Sequence, residues 1–248
     1  MKAIVAVIVA GCSMQAAQDA PKAAKDAIEK VAASSSYKVK FTATIKTPNS
    51  DPLVLNGETV RLKGGVLYIH YKASGGDEKR IIRVGEEVWL YHDLAEEWVS
   101  AAEAANPGAG RGVQNPEEVL GVVVKHLEKA AFAAGGKQVD LKIDGTDIEK
   151  IMKEQANQGA MNYKESSAEV SLGLAADGRI SKFTCAAHLA STDPALKGQK
   201  VEYIATVEVQ SYDTEKDLKF TIPDPKTKKP VELAVPDEIK KKIEKAIK

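Results

Sequence analysis

Apolar and polar residues alternate along several stretches of this chain. In residues 37–46, Val39, Phe41, Ala43 and Ile45 fall on one side, with lysine and threonine on the other. This alternation is typical of an antiparallel strand that has one face on a core and one face in water. The pattern predicts further strands at 57–63, 66–71, 79–84, 88–91, 139–144, 168–174, 179–189, 201–210 and 218–222.

Short turns join the first of these predicted strands. Gly64-Gly65 and Gly85-Glu86 leave room for tight connections only, so the first strands should form a meander. Residues 66–71 are apolar on both faces and therefore need cover on both sides. Asp177-Gly178 is the strongest hairpin signal in the chain.

Four segments change to helical spacing. Residues 23–33 place Ala24, Ala27, Ile28 and Val31 on one side. Asn115-Pro116 is a cap followed by proline at the first helical position, and it predicts a helix to about residue 131. Further helices are predicted at 147–158 and 236–248. The last is basic, has isoleucine at every fourth residue, and is expected to dock loosely.

These elements predict an α+β fold with one antiparallel sheet of about nine to eleven strands. A long sheet of this kind curls, and the two mid-chain helices would plug its apolar concave face, which gives an open half-barrel capped by helices. The same alternating side chains would fill either a ligand cavity or a dry packed core, and the sequence favours neither. The candidate lining residues are Val39, Phe41, Ile45, Val60, Leu62, Leu67, Ile69, Tyr71, Val88, Trp89, Leu90, Tyr91, Leu141, Val170, Leu172, Val201, Tyr203 and Val207.

The first residues are typical of an export signal. Lys2 precedes an apolar run of about ten residues, too short for a permanent membrane span. The end of this run, Val9-Ala10-Gly11-Cys12, resembles a bacterial lipobox, which implies removal of 1–11 and lipid attachment at Cys12. Ser13 after the cysteine is similar to outer-membrane sorting signals where two membranes exist. The alternative is a buried N-terminal strand or helix with an incidental cysteine.

Charge and cysteine content narrow the functional classes. With Lys2 removed, 34 basic residues remain against 35 acidic ones, so a nucleic-acid partner is not expected. If Cys12 carries lipid, Cys185 has no disulfide partner. Because Cys185 alternates with Phe183 and Ala187, it should be a small core residue.

No motif indicates an enzyme or a cofactor. The glycine-rich loop after Asn106 lacks the spacing of a phosphate-binding loop, and the four histidines lack zinc-ligand spacing. A site shared by His70 and His92 is a minor alternative to two surface or edge histidines. The paired acids 86–87, 96–97 and 117–118 have no nucleophile motif beside them. We therefore expect no catalytic residues, no metal and no cofactor.

Aromatic residues concentrate in the central hairpins, at Tyr68, Tyr71, Trp89, Tyr91 and Trp98. They would form a core with an aromatic rim, or a lining for lipid tails. The lysines of the last helix are typical of a solvated face, with contact to anionic lipid heads or a partner as the alternative.

The order of elements resembles a known superfamily. The segments SYKVKFTATI, IIRVGEEVWLYHDLAEEWV, NPEEVLGVVVKHLEKA and EVSLGLAADGRISKFT are similar to the superfamily of the LolA and LolB lipoprotein carriers and the mycobacterial lipoproteins LppX and LprG. Val88-Trp89 and Tyr91 followed by Trp98 look like its central hairpin. The resemblance implies an open barrel whose cavity takes acyl chains of lipids or lipoproteins. Candidates for the essential arginine of LolA are Arg61, Arg80 and Arg83.

The resulting prediction is an envelope lipoprotein. Residues 1–11 would be the signal, 12–22 a lipidated tether, 23–225 the half-barrel domain, and 226–248 a basic linker with a helix. Its partner would be a lipid or an acylated protein, with an envelope protein as a further candidate. The alternative function is a non-enzymatic sensor or interaction module with the same fold and no cargo.

Overall fold

The computed structural model describes residues 20–102, 120–121, 123–133, 135–154, 161–191, 199–215, 221–223, 230–232 and 234–248. Its helices are α1 (Ala20–Ala33), α2 (Gly145–Glu154) and α3 (Asp237–Ile247), with 3-10 turns at Lys63–Gly65 and Leu127–Lys129. Its strands are β1 (Ser36–Lys46), β2 (Leu53–Leu62), β3 (Val66–Ala73), β4 (Glu78–Val84), β5 (Glu87–His92), β6 (Glu97–Ser100), β7 (Ala131–Phe132), β8 (Gln138–Asp144), β9 (Met161–Leu174), β10 (Ile180–Ser191), β11 (Lys200–Tyr212), β12 (Thr221–Pro223) and β13 (Pro230–Glu232).

Eleven of these strands form one antiparallel sheet. Their order is β6-β5-β4-β3-β2-β1-β11-β10-β9-β8-β7, while β12 and β13 pair with each other. Strands β1 to β6 follow one another in sequence, which confirms the predicted meander. The sheet is open, since β6 and β7 lie at its two ends, and this confirms the predicted α+β fold with an open antiparallel sheet.

The chain divides into two compact units. Unit 1 comprises 1–33, 41–55 and 116–208, and unit 2 comprises 34–40, 56–115 and 209–248. Strands β1, β2 and β11 contribute residues to both. The single domain over 23–225 stays a prediction.

In unit 1, helix α1 forms because small and branched apolar residues recur at helical spacing. Ala24, Ala27, Ile28 and Val31 are all buried, as the sequence predicts. Lys25 and Glu29 form an ion pair on the exposed side. The helix contacts β7, β10 and the 3-10 turn at Leu127–Lys129, while α2 packs on β8 and β9.

In unit 2, helix α3 is part of the core. Ile239 is 2% exposed and packs in one cluster with Tyr68, Ile82 and Trp89. The Trp98 indole nitrogen donates a hydrogen bond of 3.2 Å to the carbonyl oxygen of Ala234, just before the helix. The predicted loose docking of this helix is therefore wrong, because its isoleucines enter the core.

Several predicted boundaries differ from the structure. The predicted helix at 115–131 ends early: residues 123–124 are helical, but Ala131 and Phe132 form β7 and pair with β8. Strands β2 and β9 begin at Leu53 and Met161, before their predicted starts. Residues 115–119, 155–160 and 216–220, which belong to predicted helices and a strand, lie outside the described residues.

Candidate ligand-binding face

One face of the sheet in unit 1 carries apolar side chains in register across four strands. On this face Leu141 pairs with Val170, Val170 with Cys185, and Cys185 with Ala205. Rows on either side continue the pattern. We call these twelve residues the apolar face of unit 1: Val139, Leu172, Phe183 and Val207; Leu141, Val170, Cys185 and Ala205; Ile143, Ala168, Ala187 and Tyr203.

The opposite face of the same strands is polar. Cross-strand ion pairs join Lys182 to Glu208 at 3.4 Å and Lys46 to Glu202 at 2.9 Å. Since neighbouring residues of a strand point to opposite sides, Phe41 and Ile45 of β1 lie on the apolar side. The sequence alternation therefore continues into the structure.

The apolar face of unit 1 is covered unevenly. On β8 and β9 it is closed: Val139 is 1% exposed and Leu172 is 2% exposed. On β10 and β11 the apolar side chains Phe183, Tyr203 and Val207 are half-buried. Leaving apolar area in water costs about 25 cal/mol per Å². The β10 and β11 half is thus the part of the face where an apolar ligand would gain most.

Two groups on this half carry a titratable proton. Burial raises the pKa of the Cys185 thiol, and burial, followed by the neighbouring Cys185, raises the pKa of the Tyr203 hydroxyl. Cys185 is therefore a poor nucleophile at neutral pH, since the thiolate is the reactive form. Tyr203 keeps its proton and remains a hydrogen-bond donor.

The predicted lining residues are divided between the two units. In unit 1 the structure brings together Leu141, Val170, Leu172, Tyr203 and Val207 on the face described above. Val201 follows on β11, where it pairs with Leu189, and both are half-buried. Together with Phe41 and Ile45, eight predicted residues therefore share one side of the sheet in unit 1.

The other predicted lining residues belong to unit 2. Val60, Leu62 and Trp89 pack in the cluster that contains α3, and Tyr91 packs against it. Val39, Leu67 and Ile69 are buried, whereas Tyr71, Val88 and Leu90 are half-buried. Trp89 lies beneath Lys242 of α3, whose amine is 5.1 Å from the ring centroid.

Arg61 and Arg83, two of the three predicted candidates for the essential arginine, lie on β2 and β4 in unit 2. Arg61 is 9% exposed; its Nη1 donates to the Ser34 carbonyl oxygen at 2.5 Å, and its guanidinium lies 5.8 Å from the Tyr37 ring centroid. Arg83 is half-buried, and its Nε donates to the Gly85 carbonyl oxygen at 2.9 Å. Arg61 therefore ties two segments of unit 2 together from inside.

Arg80 is the centre of a charged network. It is 5% exposed, donates to Asp93 at 2.5 Å, and also donates to Glu78. The His70 ring contacts Glu78 at 2.7 Å. Because its charge is matched by two carboxylates, Arg80 serves the packing of β3 to β5 rather than an incoming anion.

Tyr68 lies on the same side of β3 as His70, two residues along the strand. Burial raises the pKa of this tyrosine, with Arg80 opposing the shift. The hydroxyl therefore stays protonated at all ordinary pH values.

A second charged cluster lies in unit 1. Asp147 accepts a hydrogen bond from the Lys129 amine at 2.6 Å and lies 3.6 Å from His126. The Lys129 hydrogen bond lowers the pKa of Asp147 and raises that of Lys129. Asp144 caps α2, since its carboxylate accepts from the Thr146 amide at 3.0 Å. This cluster fixes the start of α2 on the 3-10 turn.

The described residues contain no group of three or more His, Cys, Asp or Glu side chains placed to hold a metal ion. His92 accepts from the Ala95 amide at 3.2 Å, so it and His70 have different partners. Within the same ranges, no helix combines the length and apolar character that a membrane crossing requires. Cys12 lies outside the described residues.

Solved structures of similar fold were found, although no family model and no curated protein matches the sequence. The solved structures include two mycobacterial proteins and one LolA superfamily protein. LprF from Mycobacterium bovis matches with a TM-score of 0.44 at 12% identity, covering 84% of this chain and 97% of LprF. The Mycobacterium tuberculosis lipoprotein LppX matches with a TM-score of 0.45 at 8% identity, covering 81% and 98%.

A LolA superfamily protein from Nitrosomonas europaea has a TM-score of 0.35 at 8% identity, covering 80% of this chain and 94% of that one. LppX and the LolA superfamily are also named in the sequence analysis above. TM-scores below 0.5 are too low to transfer a ligand or a binding residue.

Sequence reasoning missed part of the apolar face. Phe183 and Ala187 of β10 were not among the predicted lining residues, although they alternate with Thr184 and Ala186. The signal was weak because alanine occurs on both sides of this strand. The pairing of β10 with β9 and β11 makes the assignment clear.

Proposed function

We propose that this chain binds an acyl chain, of a lipid or of a lipidated protein, against the β10 and β11 half of the apolar face of unit 1. The observation that carries the proposal is the half-buried state of Phe183, Tyr203 and Val207 beside fully buried Val170 and Leu172. A hydrocarbon chain laid on these side chains would remove their remaining apolar area from water.

The free energy gained by sheltering an acyl chain from water is large. Burying hydrocarbon contributes about 0.8 kcal/mol per methylene, so a chain of about fifteen methylenes has on the order of 12 kcal/mol to gain from full shelter. From Val201 to Val207, β11 spans about 20 Å at roughly 3.3 Å per residue. The face offers hydrophobic contact along that length, which supports binding of an extended hydrocarbon chain.

We further propose an exported envelope location with anchorage through Cys12. The support comes from the sequence, in the Lys2 and apolar leader that ends at Val9-Ala10-Gly11-Cys12. Incorporation of labelled palmitate into the full chain, and its loss in Cys12→Ser, would test this part separately. A Cys12→Ser chain that still incorporates label would contradict it.

The binding proposal is tested with the full chain carrying Cys12→Ser. We expect acyl lipids in an organic extract of the purified protein, detected by mass spectrometry, and saturable binding of a fluorescent fatty-acyl probe. Tyr203→Glu should weaken probe binding at least tenfold, because it places a charge on the apolar face.

Ile204→Glu is the matched control. Ile204 is the next residue of β11, lies on the polar face and is 41% exposed, so the same charge there should leave binding within twofold. Circular dichroism and the Tm of each variant establish that it folds. Equal loss in both variants, or an empty protein that binds no probe, contradicts the proposal. In that case stable capture of a protein partner, lost in Tyr203→Glu, would favour the interaction module.

A further inference from the structure

Tyr203 is the one residue with a hydroxyl group among the twelve that form the apolar face of unit 1. It lies directly opposite Ala187 on β10, one row from Cys185 and Ala205. Its strand neighbours Glu202 and Ile204 point to the other face, where Glu202 pairs with Lys46. The phenol is therefore set among alkyl groups and a thiol.

The Tyr203 hydroxyl makes no hydrogen bond within the described part of the chain. The side chain is half-buried, so its hydroxyl can be reached by a ligand that lies on the face. A polar group in an apolar setting costs free energy unless it is hydrogen-bonded. Burial also raises the pKa of Tyr203, so the group enters any complex as a neutral donor.

We propose that the Tyr203 hydroxyl donates a hydrogen bond to a carbonyl oxygen of the bound acyl chain. Tyr203 thereby selects acyl esters and amides over plain hydrocarbons of similar length. The inference deepens the proposed function and rests on it.

The chemistry of the surroundings favours a neutral acceptor. No cationic side chain lies on the twelve-residue face, so a phosphate or carboxylate brought there would lose its hydration without a matching charge. An ester or amide carbonyl needs one donor and tolerates alkyl neighbours. The rest of the chain would then extend along β11 towards Ala205 and Val207, past Cys185 and Phe183.

The test compares Tyr203→Phe with the parent protein, both in the Cys12→Ser full chain. Displacement of a fluorescent fatty-acyl probe is measured with methyl palmitate and with octadecane, each delivered from cyclodextrin. Tyr203→Phe removes the hydroxyl and keeps the ring. We expect affinity for methyl palmitate to fall about five- to tenfold, as for one lost hydrogen bond, and affinity for octadecane to stay within twofold.

Tyr212→Phe in unit 2 is the control, because Tyr212 is also half-buried but lies outside the twelve-residue face. It should leave both affinities unchanged. If Tyr203→Phe binds methyl palmitate as tightly as the parent protein does, or weakens both ligands equally, the hydrogen bond is excluded while acyl-chain binding stands. If neither ligand displaces probe from the parent protein, the proposed function fails as well.

Discussion

Gly64 and Ala246 approach each other so closely that no side chain fits between them. A Cβ placed on Gly64 would clash with the carbonyl oxygen of Ala246, near the end of α3. Gly64 also has a φ of 76°, in the left-handed region that favours glycine. This contact sets how near the 3-10 turn at Lys63–Gly65 comes to α3.

Gly64→Ala should therefore destabilise the protein more than Gly65→Ala. Both glycines have positive φ, 76° and 75°, but a Cβ on Gly65 meets open space. The left-handed conformation costs both variants about 1–2 kcal/mol, and overpacking adds a further 1–3 kcal/mol at Gly64 only. Urea unfolding of the two variants measures the difference. Equal destabilisation would mean that the turn does not press on the helix.

Ile239→Ala should unfold more easily by about 2–5 kcal/mol. Ile239 is 2% exposed in the core of unit 2, and truncation would leave a cavity beside Tyr68 and Trp89. Lys240→Ala, at the adjacent exposed position, is the control and should change stability by less than about 0.5 kcal/mol. Similar small effects in both variants would indicate that α3 docks loosely, as predicted from the sequence.

The Asp147 hydrogen bond to Lys129 should make stability depend on pH. Because the folded-state pKa of Asp147 is lowered, its contribution is present above the unfolded value of 3.8 and is lost as pH falls through the folded value. Asp147→Asn should therefore lower the Tm at pH 7, by about 2–4 °C for each kcal/mol lost. The difference from the parent protein should shrink at pH 3.

The control for Asp147 is Glu169→Gln. Glu169 pairs with Lys142 at 3.3 Å, but both side chains are mainly exposed, so this ion pair contributes little to stability. Its Tm should match the parent protein at pH 7. A Tm difference for Asp147→Asn that is the same at pH 7 and pH 3 would argue against a stabilising carboxylate.

Cys185 offers a direct reporter of ligand on the apolar face. In the Cys12→Ser full chain, burial and the raised thiol pKa should make alkylation slow at pH 8 and faster above pH 9. Saturating methyl palmitate should slow the reaction further, at least fivefold. The measurement is the rate of iodoacetamide labelling by mass spectrometry.

The matched reporter is Ala186→Cys in a chain that also carries Cys185→Ser. Residue 186 lies on the other face of β10, opposite Ile204. Ligand should leave its labelling rate unchanged. Protection at both positions would indicate a general change in folding rather than occupancy of one face.

Local patterns were sufficient to predict most of the sheet. The alternation around Val39 and the turns at Gly85 and Gly178 depend on neighbours in sequence, so β1 and the hairpins β4–β5 and β9–β10 could be predicted. The polar start of β9, in Asn162 and Lys164, has no alternation to detect. This start of β9 pairs with the end of β10, because β10 extends as far as Ser191.

Contacts between distant segments could not be predicted. The docking of Ile239 on Tyr68, and the contact of Arg61 with Ser34, join residues far apart in sequence. An arginine on a strand is ordinarily assigned to the surface, so nothing in the sequence indicated that Arg61 and Arg80 are buried. The candidate site was found in part, since Val201, Tyr203 and Val207 alternate clearly and the alanines of β10 do not.

The two outermost strands of the sheet are its shortest. β6 has four residues and β7 has two, whereas β9 has fourteen. Unpaired backbone at a long sheet margin would recruit strands from other molecules and seed fibrils. β6 and β7 themselves therefore offer few unpaired backbone groups to a strand of another chain.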